Sequence, residues 1–247
     1  MKKFKLAALS LTAVMFAGVA QNAFAHTRIN EATQIEGTRG INHIVISHSC
    51  NDTSNTLGTT VVFPDGVDST IMVNGEASES QVLDHLTNYG NNFQLIFDRS
   101  AFDAMEEKNV GGNVVGFWAG GGPGMPASLN VATAFRATAA RIEPTSCTSS
   151  VAIKVSIADI CEITDTAGFN DDVVRLWTHN DLGTPFDRVS DTDNGPATFT
   201  ITRDLTENPL PDGCSAEGDA VVVKPSAAQI NRDMPIVIDD AQIWPQN

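Results

Sequence analysis

The chain has 247 residues, of which 15 are lysine or arginine and 30 are aspartate or glutamate, a formal net charge of −15 at neutral pH. So acidic a surface repels phosphate backbones and anionic lipid alike, which excludes nucleic acid as a partner and favours solubility or contact with cations. The length allows one large domain and also permits two.

The first 25 residues read as a removable export leader. Lys2, Lys3 and Lys5 form a positive start, residues 6–20 are an apolar run too short for a comfortable membrane span, and Ala23-Phe24-Ala25 is a small-residue cleavage site. Its removal takes away three lysines, carrying the charge from −15 to −18, and makes His26 the first residue. No second stretch approaches the length of a transmembrane helix and no lipid-attachment cysteine follows the leader. The expectation is an exported chain without a membrane span, in the periplasm, on the outer cell surface or secreted.

Beyond the leader, short β-type segments follow one another: 41–47, 59–63, 69–73, 94–97, 114–118, 129–141, 151–157, 173–179, 197–203 and 220–224. Turn signals separate them at Pro64-Asp65-Gly66, Asn74-Gly75, Asn194-Gly195-Pro196 and Pro211-Asp212-Gly213. Only 78–89 and 100–108 read as helical, the second with Ser100 as N-cap ahead of Asp103 and Glu106. Many evenly spaced strands with few helices predict an all-β fold, mainly an antiparallel β-sandwich or barrel with one or two short helices. Residues 26–247 then form a β domain whose best internal boundaries are 111–124 and 202–218. No repeat is visible.

Several motifs are excluded by what they lack. Gly120-Gly121-Gly122-Pro123-Gly124 has no Gly-Lys-Ser/Thr ending and opens no helix, so it reads as a flexible loop rather than a phosphate cradle. Asp191-Thr192-Asp193-Asn194-Gly195 starts like a calcium loop, but its glycine falls one position early and the closing glutamate is absent. No Gly-x-Ser-x-Gly suggests a hydrolase and no His-Glu-x-x-His a zinc protease. Cys50, Cys147, Cys161 and Cys214 are an even number in an oxidising compartment, which predicts two disulfides with three possible connectivities. Without a C-x-x-C pair they do not form a zinc ribbon or a thioredoxin-like site.

The chemistry-bearing residues that remain are histidines and a tryptophan. A free N-terminal His26 would offer a metal both its α-amine and its imidazole Nδ1, a chelate no internal histidine can make, and tetragonal nitrogen donors suit copper(II). In the 173–179 strand the alternation puts Trp177 and His179 on one face. In the 41–47 strand, Asn42, Ile44, Ile46 and His48 share one face while Ile41, His43 and Val45 share the other, so His43 and His48 do not bind one ion together. His48 precedes Cys50 by two residues, where a disulfide would hold its backbone rigid. His85, in the 78–89 segment, reads as a surface residue. His43 and His85 are the weaker ligand candidates.

Two resemblances bear on these residues. His26-Thr27-Arg28-Ile29, Ile46-Ser47-His48-Ser49-Cys50, Ser54-Asn55-Thr56 and Val61-Val62-Phe63-Pro64-Asp65-Gly66-Val67, in that order, resemble the YcnI-like family of exported copper-binding β-sandwich domains over residues 26–73. This likeness implies that His26 chelates copper by amine and ring nitrogen, with a carboxylate and a nearby tryptophan completing the site. It also implies the disulfide Cys50–Cys161, which leaves Cys147 and Cys214 to pair by elimination. Ser49 stands where glycine is usual and no Pro-Gly-Trp follows the turn, so the likeness does not say which tryptophan. Trp177-Thr178-His179 is similar to the Trp-x-His element of MopE and CorA, the methanotroph surface copper proteins. By that similarity Trp177 becomes kynurenine and His179 a copper ligand, with a second histidine drawn from His26, His43, His48 or His85.

Both likenesses point to copper as the bound ion and to a non-catalytic role in copper acquisition, storage or delivery, with other envelope copper-handling proteins as further partners. One competing reading is a copper-dependent monooxygenase using an N-terminal histidine brace; one tyrosine and three tryptophans offer little of the flat aromatic surface such an enzyme uses. Another is a metal-free surface or adhesion domain. Copper titration separates the last from the others, and oxidation of a polysaccharide separates the monooxygenase.

Overall fold

The computed structural model describes residues 26–188 and 195–246. The expected leader and residues 191–194 of the calcium-loop-like turn, with Asn194 of the neighbouring turn signal, lie outside the described residues. The first strands are β1 (Arg28–Ile29), β2 (Thr33–Ile35), β3 (Gly40–Ile46), β4 (Thr56–Val62), β5 (Thr70–Val73), β6 (Glu76–Ser78) and β7 (Phe93–Leu95). Then come β8 (Ala104–Val110), β9 (Asn113–Met125), β10 (Val131–Ala137), β11 (Thr148–Ile160), β12 (Val174–Trp177), β13 (Ala197–Thr202) and β14 (Asp219–Lys224). Helix α1 (Ala227–Asp233) and a hairpin of β15 (Ile236–Ile238) and β16 (Ala241–Trp244) close the chain.

The strands form two facing sheets. The smaller runs β1-β3-β10-β7, all antiparallel. The larger runs β6-β5-β14-β11-β4-β9-β8, with β12 and β13 also on β11 and β2 on β13. Its long strand β11 is shared: residues near its start pair with β13 and, in parallel, with β14, while residues 156–160 pair with β4 and β12. The pairing is mainly antiparallel, as the spacing of turn signals implies; β11 with β14 and β13 with β2 are the parallel pairs.

Between the sheets, Ile44 and Phe135 of the smaller meet Val61, Phe117, Ile153 and Ile157 of the larger. An aromatic knot centres on Phe93, whose ring centroid lies 4.1 Å from Phe63, 5.7 Å from Phe199 and 6.0 Å from Phe135. Each fully buried ring contributes about 2–3 kcal/mol of transfer free energy. The outer face of the larger sheet is also covered, since Val62, Trp118, Ala158 and Ile160 pack under Ile230, Met234, Ile236 and Trp244 of α1 and the terminal hairpin. Cover on both faces explains why β4 and the end of β11 are buried almost continuously rather than at alternate residues. Among the described residues, no helix is long and apolar enough to cross a membrane.

Three local expectations are corrected. Residues 100–108 do not form a helix: from Ala104 onward they make β8, joined to β9 by Gly111-Gly112 at φ of 59° and 86°. Two successive positive φ angles make the two-residue hairpin turn whose twist matches paired strands, and that pairing overrides the local helical pattern. Residues 78–89 keep only a 3₁₀ turn at Val82–Asp84, while the α-helix lies at Ala227–Asp233, capped by Ser226 accepting from the Gln229 amide. Finally, residues 120–124 are not a loop but the far half of β9. There Gly120 pairs with Gly58, and a Cβ added at Gly58 would lie 2.8 Å from the Ala119 carbonyl oxygen.

Candidate metal centre

Near its end, β11 carries one ionisable residue in an otherwise apolar stretch, Ser156-Ile157-Ala158-Asp159-Ile160. Strand alternation turns Asp159 to the same side as Ile157, into the space between the sheets. Across the sheet it is flanked by Thr59 of β4 and Arg175 of β12. The Asp159 carboxylate, 2% exposed, accepts from Thr59 Oγ1 at 2.9 Å, from Trp177 Nε1 at 2.7 Å and from Thr27 Oγ1. These donors come from β4, β12 and the residue before β1, so a single carboxylate ties both sheets together. Burial pushes its pKa up to about 6, against the opposing pull of the three hydrogen bonds and of His48 nearby. At neutral pH it is mainly ionised, and its three hydrogen-bond donors are all uncharged.

Trp177 lies opposite Ile157 in the β11–β12 register. Its indole N–H is spent on Asp159, and its ring meets the His26 imidazole at a centroid distance of 4.6 Å and an interplanar angle of 41°. The pairing of Arg28 with Val45, and a hydrogen bond from Ser47 Oγ to the His26 carbonyl at 3.4 Å, bring residues 26–29 to this edge. The Arg188 guanidinium carbon is 5.4 Å from the Trp177 ring centroid. Burial and the charge of Arg188 both lower the His26 pKa, which keeps its imidazole neutral, the form that binds metals. Beside Trp177 a cavity of about 220 Å³ opens, lined also by Phe169, Arg175 and Arg188.

Cys50 and Cys161 join the chain just after His48 to the residue following β11, and Arg175 Nη2 donates to the Cys50 carbonyl at 2.6 Å. The second bridge is Cys147–Cys214, and no free cysteine remains. Both pairings are the expected ones, Cys50–Cys161 and the remaining Cys147–Cys214.

The histidines divide clearly. His26 is brought against Trp177, and His48 is close enough for its charge to act on Asp159. The His48 Nδ1 meets the Ser49 carbonyl, which only accepts, so Nδ1 carries the proton and Nε2 is the lone-pair nitrogen of the neutral ring. His43 sits on β3 opposite Ala134, on the side away from buried Asn42 and Ile44, and so stays out of this site. His85 is corrected from surface to buried: its Nε2 bonds Ser80 Oγ at 2.9 Å and its Nδ1 Thr148 Oγ1 at 2.8 Å. Thr148 starts β11 and Asp159 nearly ends it, roughly 35 Å away at strand rise, so His85 takes no part here. The alternation argument for His179 also fails, because β12 stops at Trp177. His179 lies beyond it, 1% exposed, its carbonyl accepting from the Arg188 amide at 3.0 Å.

Among the described residues, no three His, Cys, Asp or Glu side chains stand together as a metal cage. No family model matches the chain, and no curated relative matches it. A solved structure is similar: an uncharacterized protein from Nocardia farcinica with an immunoglobulin-like fold, over 72% of this chain and 99% of that one, at 12% sequence identity and a TM-score of 0.40.

Sequence reasoning passed over Asp159 and Arg188. Asp159 had a signal, a carboxylate among the apolar and small residues that end a strand. Arg188 had none, since only the fold returns its loop to Trp177.

Proposed function

We propose that this is an exported, non-catalytic copper-binding protein for copper acquisition, storage or delivery, with His26 as the primary ligand. The observation that carries the reading is the His26 imidazole lying against Trp177, whose indole is anchored on the buried Asp159 carboxylate. A counting of side chains omits the one donor that processing would create. Cleavage after Ala25 frees an α-amine on His26, so one residue supplies two nitrogens, and the His48 Nε2 and the Asp159 carboxylate are further candidates. A buried ionised carboxylate surrounded by uncharged donors also favours a cation beside it. The two disulfides fit an oxidising compartment.

The MopE-like reading shares the same tryptophan. If Trp177 is converted to kynurenine, the histidine in ring contact with it is His26, which favours His26 over His43, His48 and His85 as the upstream partner of His179.

The test is copper(II) affinity, by competition with a chromogenic chelator, for protein beginning at His26 and for protein carrying one extra glycine before it. The extension converts the amine to an amide and should weaken binding at least about tenfold, or ~1.4 kcal/mol. Equal affinities would overturn the reading and place the primary site elsewhere.

A further inference from the structure

On the outer face of the larger sheet, away from His26, the cross-strand register aligns Ala104, Gly120, Gly58 and Ile160 in one row across β8, β9, β4 and β11. Three neighbours in that row have a methyl group or less for a side chain, so the sheet is left with a trough. The next row contains Trp118, which walls the trough on one side. Ile236, Ile238, Ile243 and Trp244 of the terminal hairpin roof it, enclosing a cavity of about 300 Å³. Close backbone contact helps to maintain the trough: a Cβ at Gly120 would stand 3.2 Å from the Leu57 carbonyl oxygen and 3.4 Å from the Gly58 Cα.

Two features say what the trough accepts. Among the described residues no charged side chain lines it, while the exposed Asp103 carboxyl stands against its glycine wall, 2.7 Å from where a Cβ at Gly122 would lie. An anionic head group, such as a fatty acid carboxylate or a phosphate, would meet like charge at the rim. The other is the apolar wall itself, in which Trp244 is fully buried with its Nε1 shielded from solvent. Small ligand sites are of this kind, largely apolar concavities with few polar groups.

We infer that this cavity is a binding site for a small uncharged apolar molecule, independent of the proposed copper site. Such a molecule fills the trough between the glycine floor and the isoleucine roof.

The probe is N-phenyl-1-naphthylamine, an uncharged aromatic whose fluorescence rises in apolar surroundings and which accepts energy from Trp118 and Trp244. Titrated into the full mature protein it should bind saturably at one site, with 1-anilinonaphthalene-8-sulfonate, its anionic counterpart, at least about tenfold weaker. Ala104→Phe, which fills the trough from an edge strand, and Ile163→Glu, which puts a carboxylate at the partly exposed mouth, should each weaken the uncharged probe at least about tenfold. Phe97→Ser, at an exposed aromatic elsewhere, should leave it unchanged. Near-ultraviolet circular dichroism verifies each fold, and if Ala104→Phe is misfolded then Ile163→Glu decides. Non-saturable binding, equal binding of the anionic probe, no effect of the trough variants, or an equal effect of Phe97→Ser would each overturn the assignment. Copper affinity is not read in this experiment, so failure here leaves the copper reading untouched, and the reverse.

Discussion

Replacing Asp159 with asparagine should make the metal-free protein more stable at neutral pH while weakening its hold on copper. The carboxylate is held in a fully buried position where its pKa rises from 3.8 to about 6. About two pKa units correspond to ~3 kcal/mol of preference for the protonated form in the folded state. The folded protein therefore binds this proton more tightly than the unfolded chain does. That makes its contribution most favourable at low pH, progressively lost between about pH 4 and pH 6, and fully unfavourable above. Asparagine keeps the shape and can still accept from Trp177 Nε1, but it never ionises. Urea denaturation of the metal-free proteins at pH 4, 5, 6 and 7.5 should show Asp159→Asn more stable than wild type by about 1–3 kcal/mol at pH 7.5. The upper end is the full net preference for the protonated form, and the lower end allows for weakened hydrogen bonds from Thr27 and Thr59. The difference between the two proteins should close as pH falls toward 4. A variant that is less stable at pH 7.5, with a difference that does not change with pH, would refute the reasoning: the carboxylate would then be a net stabiliser in its ionised form.

Two other outcomes are expected. Protein from copper-containing growth should carry kynurenine at Trp177 and at neither Trp118 nor Trp244, read as a localised mass shift in peptide fragments, and His179→Ala should abolish it; an unmodified Trp177 together with normal copper binding by His179→Ala would remove the MopE-like chemistry. Thiol labelling of denatured, unreduced protein should find no free cysteine, and under native reduction Cys147–Cys214, with Cys214 half-buried, should open before Cys50–Cys161, whose sulfurs lie in residues 1% and 8% exposed; the opposite order would show that burial does not protect the bridge beside Asp159.

The amino-acid sequence by itself determined the β class, the placement of the principal strands and the even pairing of cysteines, because a period of two and Gly, Pro or Asn punctuation are local properties of the chain. His26 and Trp177 were legible as singular residues for the same reason: each is rare, and each sits beside a local feature, a cleavage site or a strand. What no local pattern could decide is which of these residues meet. His26 and Trp177 are 151 positions apart, a separation closed only by the pairing of β1 with β3 and of β12 with β11. His179 drops out of the alternation because β12 ends one turn of the pleat sooner than its β-prone residues imply, and His85 is buried because the fold closes Thr148 over it. Residues 100–108 and 120–124 depart from their local pattern for a related reason. A helical pattern and a glycine cluster become strands once β9 offers hydrogen-bond partners on both sides, and the glycines are needed there because the β4 backbone approaches too closely for a side chain. Asp159 is the clearest division between the two levels: its place in the apolar end of a strand is written in the sequence, but its three donors come from residues 27, 59 and 177, and only the closed sandwich supplies them.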